Sequence, residues 1–167
     1  MKKILETSRT YLRELSTDDA ENFFLLNSDK DVLKYTGDKP FESILKTKEF
    51  LKNYNPYQEF GYGRWAVIDK SNNEFLGWCG LKFTRELNEV DLGFRFFKKH
   101  WNKGYASETA KACVDYGFEK LNLTKIVGRA MKENSASIKV LEKAGMQFVD
   151  IIDFEKHEGV LYQLKKQ

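Results

Sequence analysis

The sequence predicts a mixed α/β fold: a central, mostly antiparallel sheet of about seven strands with about four helices around it. Runs of strand-like alternation cluster in the middle of the chain, and amphipathic segments with apolar residues three and four apart interrupt and flank them. The 167 residues, 41% hydrophobic and 14% aromatic, are enough for one well-filled core, so a single domain over 1–167 is expected. No internal repeat, low-complexity tract or Pro/Gly/Ser linker divides the chain.

Taken in order, Ser8 to Leu15 reads as a strand. Ser16 with Asp19 three residues later then reads as the start of a helix whose Ala20, Phe23, Phe24 and Asn27 recur at helical spacing. A second helix spans Ser43 to Asn53, with Leu45, Phe50 and Leu51 expected on its buried side. The period then changes. Tyr62 to Asp69, Glu74 to Phe83 and Val90 to Phe97 read as three antiparallel strands, separated by Ser71-Asn72-Asn73 and by a polar loop from Arg85 to Glu89. From Ser107 to Leu121 the apolar positions Ala110, Cys113, Val114, Gly117, Phe118 and Leu121 define a helix facing the sheet. Lys125 to Ala130 is a short strand, and Ser135 to Ala144 is a helix that Gly145 can end in a left-handed cap. Met146 to Ile152 and Gly159 to Leu164 are two last strands.

Several function classes fall away. The net charge of +3 is too small and too dispersed for a nucleic-acid surface, although a small anionic ligand fits it. Cys79 and Cys113 lack paired metal or redox spacing and read as reduced packing residues; no metal site is expected. The apolar stretch at the N-terminus is too short for a signal peptide, and no window approaches about 18 consecutive apolar residues. A cytoplasmic protein without membrane partners is expected.

The chemistry concentrates between Val90 and Thr109: a strand, a polar loop containing Gly104, then a helix N-terminus. The first turn of a helix leaves backbone N–H groups unpaired at the positive end of its dipole, which suits a phosphate. Gly104 and the small Ala106 allow close approach. A glycine before a helix also occurs with no ligand at all, so context decides. The P-loop and dinucleotide-binding glycine patterns are both missing.

The run Trp101-Asn102-Lys103-Gly104-Tyr105-Ala106-Ser107-Glu108 resembles the coenzyme A motif of the GCN5-related N-acetyltransferase (GNAT) superfamily, and within it the RimJ/RimL-like branch. Similarity continues at Thr7 to Leu15, Asp18-Asp19-Ala20, Gly61 to Ala66, Phe75 to Leu81, Asn134 to Ser137, Val140 to Met146 and Leu161 to Leu164. Asn102 replaces a glycine of the branch pattern, and Asn tolerates left-handed backbone angles well enough to keep the loop's shape.

The resemblance implies a GNAT-like acyltransferase fold in which the strand Asp91 to Phe96 splays from Lys125 to Ala130 and admits the pantetheine arm of acetyl-CoA. A backbone N–H from Phe94, Arg95 or Phe96 would stabilise the oxyanion. Trp101, Asn102, Lys103, Gly104, Tyr105, Ala106 and Ser107 would hold the diphosphate, and Asn134 and Ser137 would contact the pantetheine or the sulfur. Asp91 occupies a position where the branch commonly carries Glu and is the candidate base; alternatively it is a solvated strand residue or pairs with Arg95. Leu141 stands where many relatives place a Tyr acid. Ser137, one turn earlier, could donate in its place or could simply bond back to Asn134.

The implied reaction transfers acetyl to a primary amine; a coenzyme-binding module without catalysis is the alternative. The acceptor is open among protein N-termini, polyamines and small molecules, and the chain is expected as a monomer or homodimer. Lys98, Lys99 and Lys103 either attract the coenzyme or are solvated, while His100 and His157 are expected at the surface. Trp65, Trp78 and Tyr62 are expected in the core or a cleft wall, and Glu42, Glu49 and Glu59 near the acceptor.

Overall fold

The computed structural model describes residues 2–167. Eight strands form one sheet: β1 (Lys3–Glu6), β2 (Thr10–Glu14), β3 (Arg64–Asp69), β4 (Phe75–Thr84), β5 (Glu89–Phe96), β6 (Lys125–Met131), β7 (Gln147–Phe154) and β8 (His157–Lys165). Their spatial order is β1-β2-β3-β4-β5-β6-β8-β7. All neighbours are antiparallel except β5 and β6, which run parallel. The helices are α1 (Ala20–Leu26), α2 (Lys30–Leu33), α3 (Ile44–Lys52), α4 (Pro56–Phe60), α5 (Tyr105–Glu119) and α6 (Ser135–Lys143). Among the described residues no helix is long and apolar enough to cross a membrane.

Both sheet faces are covered, and strand alternation assigns side chains to each. On β3, Trp65 and Val67 join the core under α5 and α6, while Ala66 and Ile68 join a second core under α1 and α3. Trp65 is 1% exposed and meets the Tyr116 ring edge-on at 5.5 Å. Such an aromatic contact adds about 1 kcal/mol to the burial itself. The mixed sheet matches the expectation, with β1 as the strand the sequence reading lacked.

Local chemistry explains the boundaries. Ser16 and Asp19 form the expected capping box, here around a short 3-10 turn, and Asp19 also binds Arg13 at 2.8 Å. Ser43 caps α3 by accepting from Lys46 N. The expected buried face of α3 needs correction: Leu45 is 76% exposed and Phe50 is also exposed, whereas Thr47 and Leu51, four residues apart, point inward. Phe50 instead flanks an aromatic group with Phe23, Phe41 and Tyr54 at the edge of the layer. Helix α5 starts at Tyr105 rather than Ser107, because Gly104 itself adopts the capping conformation. Gly145 takes the left-handed turn after α6, with φ of 97°.

Candidate functional site

Strands β5 and β6 are joined at one registered pair, Asp91 opposite Val127, whereas β4 and β5 pair at eight. Among the described residues no further registered pair joins the two strands beyond it toward their C-terminal ends. The loop entering α5 leaves β5 at that end, and the segment entering α6 leaves β6 there. The unregistered lengths of β5 and β6 are thus flanked by two helix N-termini, at the place where the resemblance implies an opening for the pantetheine arm.

The loop after β5 is held by its own bonds. The Trp101 indole N–H donates to Phe96 O at 2.9 Å, and a 3-10 turn covers Lys98 to His100. Asn102 adopts the left-handed region at φ 60° and Gly104 does so at φ 84°. Gly104 is the N-cap of α5 and supplies no capping side chain, so the first-turn N–H groups lack a side-chain partner among the described residues. That bare, positively polarised end has the chemistry a diphosphate requires.

Several cations surround it. Lys98 is paired with Asp31 and Lys99 with Glu74, leaving Lys103 on the loop without such a pairing among the described residues. His100, expected at the surface, is only 10% exposed in its side chain. Its ring lies 5.9 Å from that of Tyr105 and its Nε2 lies 3.3 Å from Glu74 Oε1, which props the start of α5.

Asp91, Gly93 and Arg95 share the sheet face opposite Leu92 and Phe96, which are buried in the α5 core. Asp91 pairs with Arg64, not Arg95. Arg64 donates from Nη2 to Asp91 Oδ1 at 2.7 Å and from Nη1 to the carbonyls of Gly80 and Asp91. Gly93 makes this possible, since a Cβ there would lie 2.6 Å from Arg64 Cζ. Arg95 turns to Asn27 and Asp38, and both guanidiniums flank the Trp78 ring, at 5.2 Å for Arg64 and 5.4 Å for Arg95. Trp78 is thus half-buried between cations, while Tyr62 and Trp65 are core.

At α6, Asn134 Oδ1 accepts from Ser137 N at 3.2 Å, which fixes the amide's orientation. Its Nδ2 must then donate to Ser137 Oγ at 2.9 Å. The Ser137 hydroxyl accepts from Asn134 and keeps its own hydrogen without an acceptor among the described residues. Leu141, one turn on, is 1% exposed and packs against Gly128. It is a core residue with no proton to give.

The acidic residues expected near the acceptor are accounted for: Glu49 pairs with Lys46, Glu59 with Arg85, and Glu42 is exposed. His157 is exposed on β8. Cys79 and Cys113 are buried, with their sulfurs 3.7 Å apart. Sequence reasoning missed Arg64, whose reach across Gly80 and Gly93 depends on strand register. It also missed Arg9 and Glu108, which join the β1–β2 loop to the start of α5 at 3.1 Å.

A model of the GNAT acetyltransferase domain matches residues 9–147. An N-acetyltransferase named p20 of Bacillus licheniformis, described as uncharacterized, is 32% identical over 160 residues, covering 94% of this chain and 90% of its own. The crystal structure of a GNAT-family acetyltransferase from Bacillus anthracis superposes with a TM-score of 0.82 at 27% identity, covering 96% of this chain and 97% of that one. The spermidine N-acetyltransferase of Vibrio cholerae, solved with CoA and spermine, shares the fold with a TM-score of 0.79 at 22% identity, over 95% of this chain and 96% of that one. The chain belongs to the GNAT acetyltransferase family. It is an acyltransferase.

Proposed function

We propose that the chain is an N-acetyltransferase of the RimJ/RimL-like branch, forming one cytoplasmic catalytic domain over 1–167 that is a monomer or homodimer. It passes acetyl from acetyl-CoA to a primary amine by direct attack in a ternary complex. The observation that carries this reading is the coincidence of the β5/β6 opening with the bare N-terminus of α5. Acetyl-CoA, when bound, supplies an activated thioester. Main-chain N–H groups from Lys103 to Ser107 would grip its diphosphate, beside Trp101 and Asn102. The backbone of Phe94, Arg95 and Phe96 would border the pantetheine, with Asn134 and Ser137 across the opening. Asp91 would take the proton from the amine, directly or through water; Arg64 holds one of its oxygens and orients it. Ser137 would offer its unused hydrogen to the departing sulfur.

Protein N-termini, polyamines and small amines are all candidate acceptors. The Vibrio cholerae neighbour's description with spermine puts polyamines in the first panel. The test incubates the purified chain with acetyl-CoA and a panel of peptides, polyamines and aminoglycosides, reading thiol release and acetylated products by mass spectrometry. Acetylation of at least one amine supports the reading. Tight CoA binding with no turnover on any member would favour a coenzyme-binding module instead.

A further inference from the structure

We infer that Arg9 is a further binding residue for the coenzyme's diphosphate, supplied from the N-terminal strand pair rather than from the loop. This rests on the coenzyme reading above. Arg9 lies just before β2, and its guanidinium stacks 4.1 Å over the ring of Tyr105, the first residue of α5. Its Nε donates to Glu108 Oε1 at 3.1 Å. Its Nη2 would be 3.3 Å from a Cβ placed on Gly104. The guanidinium thus lies beside the position whose backbone opens the helix.

Among the described residues, only one of the side chain's five N–H hydrogens is used. The four on Nη1 and Nη2 meet no acceptor among the described residues, and the side chain is 41% exposed. Two fixed contacts therefore hold a planar, permanently charged fork with its outer edge free, the geometry that suits bidentate contact with phosphate oxygens. The neighbouring charges strengthen the assignment. Lys98 and Lys99 are paired with Asp31 and Glu74 through their single ammonium groups, whereas Arg9 meets Glu108 through Nε alone and keeps its Nη groups open beside Lys103. Glu108, in the first turn of α5, would repel a diphosphate at the same helix end. Arg9 offsets that charge while binding the ligand.

The experiment compares wild type with Arg9→Lys, Arg9→Gln and Arg9→Ala by calorimetric titration with CoA and with dephospho-CoA. It adds kcat/KM for acetyl-CoA and for acetyl-pantetheine, which lacks the diphosphate. Arg9→Gln and Arg9→Ala should weaken CoA and dephospho-CoA by roughly tenfold alike, the scale of one charge-assisted contact. Arg9→Lys should recover most of that loss, and kcat/KM for acetyl-pantetheine should stay within about twofold in all variants. Equal affinity of Arg9→Gln and Arg9→Lys would reduce Arg9 to a structural prop and overturn the inference. So would a loss confined to CoA, which would place Arg9 on the 3′-phosphate. Should wild type itself not bind CoA, the coenzyme reading fails and takes the inference with it.

Discussion

At the scale of single residues, the site depends on small donors with one free hydrogen and on glycines that make room for longer side chains. Ser137 illustrates the first case. Its backbone N–H is capped by Asn134 whatever its side chain, so Ser137→Ala should fold normally while losing the donor. Removal of one hydrogen bond to a charged sulfur, about 1.5 kcal/mol, would lower kcat about tenfold and leave KM for acetyl-CoA within about twofold. Steady-state kinetics decide it, and an unchanged kcat would confine Ser137 to structure. Gly93 illustrates the second case. In Gly93→Ala the new Cβ would sit 2.6 Å from Arg64 Cζ, forcing the guanidinium off Asp91 and the carbonyls it holds. A loss of about 1–3 kcal/mol in denaturant unfolding is expected. The same change in an Arg64→Ala background should cost much less, because the clash is with that side chain.

At the scale of elements, the start of α5 is tied to the β1–β2 loop through Glu108. This carboxylate accepts from the Thr7 hydroxyl at 2.6 Å, from Ser8 Oγ at 3.3 Å, and from Arg9 through both its backbone N–H and its Nε. Partial burial alone would push its pKa up, but the Thr7 and Arg9 bonds together hold it below the ordinary carboxylate value. A depressed folded pKa means the unfolded chain binds the proton more readily. The contribution is therefore complete above about pH 4.3 and is lost as pH falls toward the folded value. Glu108→Gln should flatten that acid limb of the stability curve, and an unchanged limb in chemical unfolding from pH 6 to 3 would refute it.

The same scale shows what the sequence could convey. Helix α5 was legible because its apolar residues repeat over 15 residues, and β3 to β5 because long alternating runs flank the turn Ser71-Asn72-Asn73. Strand β1 has four residues and, among the described residues, pairs only with β2, too short a run to announce itself. The β7–β8 hairpin turns through Glu155 and Lys156, both at positive φ, without the Asn or Gly that signals such a turn. In the candidate site, the loop's left-handed positions follow from Asn102 and Gly104 themselves. Arg64 was not legible, since it meets Asp91 only after β3, β4 and β5 align Arg64, Gly80 and Gly93 across three strands. Local pattern does not encode that register.

At the scale of the whole molecule, α5 connects the parallel pair β5 and β6 across a sheet face, so its packing keeps the two sides of the opening on one body. Cys79 on β4 and Cys113 on α5 meet at the centre of that contact, both 0% exposed, with sulfurs 3.7 Å apart. Burial in an apolar core pushes the Cys113 thiol well above its ordinary pKa, and the neighbouring thiol adds to this. A thiol held protonated and out of water is a poor nucleophile, so native protein should react slowly with a thiol reagent, and both cysteines should react at once in denaturant. The linkage runs opposite to that of Glu108. Unfolded Cys113 releases its proton near pH 8.5 while the folded residue retains it, so the folded state binds more protons above that pH. Stability is fully present below about pH 8.5 and should fall by roughly 1.4 kcal/mol per unit above it from this one group. Cys113→Ala should remove that slope while costing about 1 kcal/mol at neutral pH for the lost packing. Unfolding curves at pH 7 to 10 for the two proteins give the answer: parallel declines would show that the contact between α5 and the sheet is not where alkaline sensitivity arises.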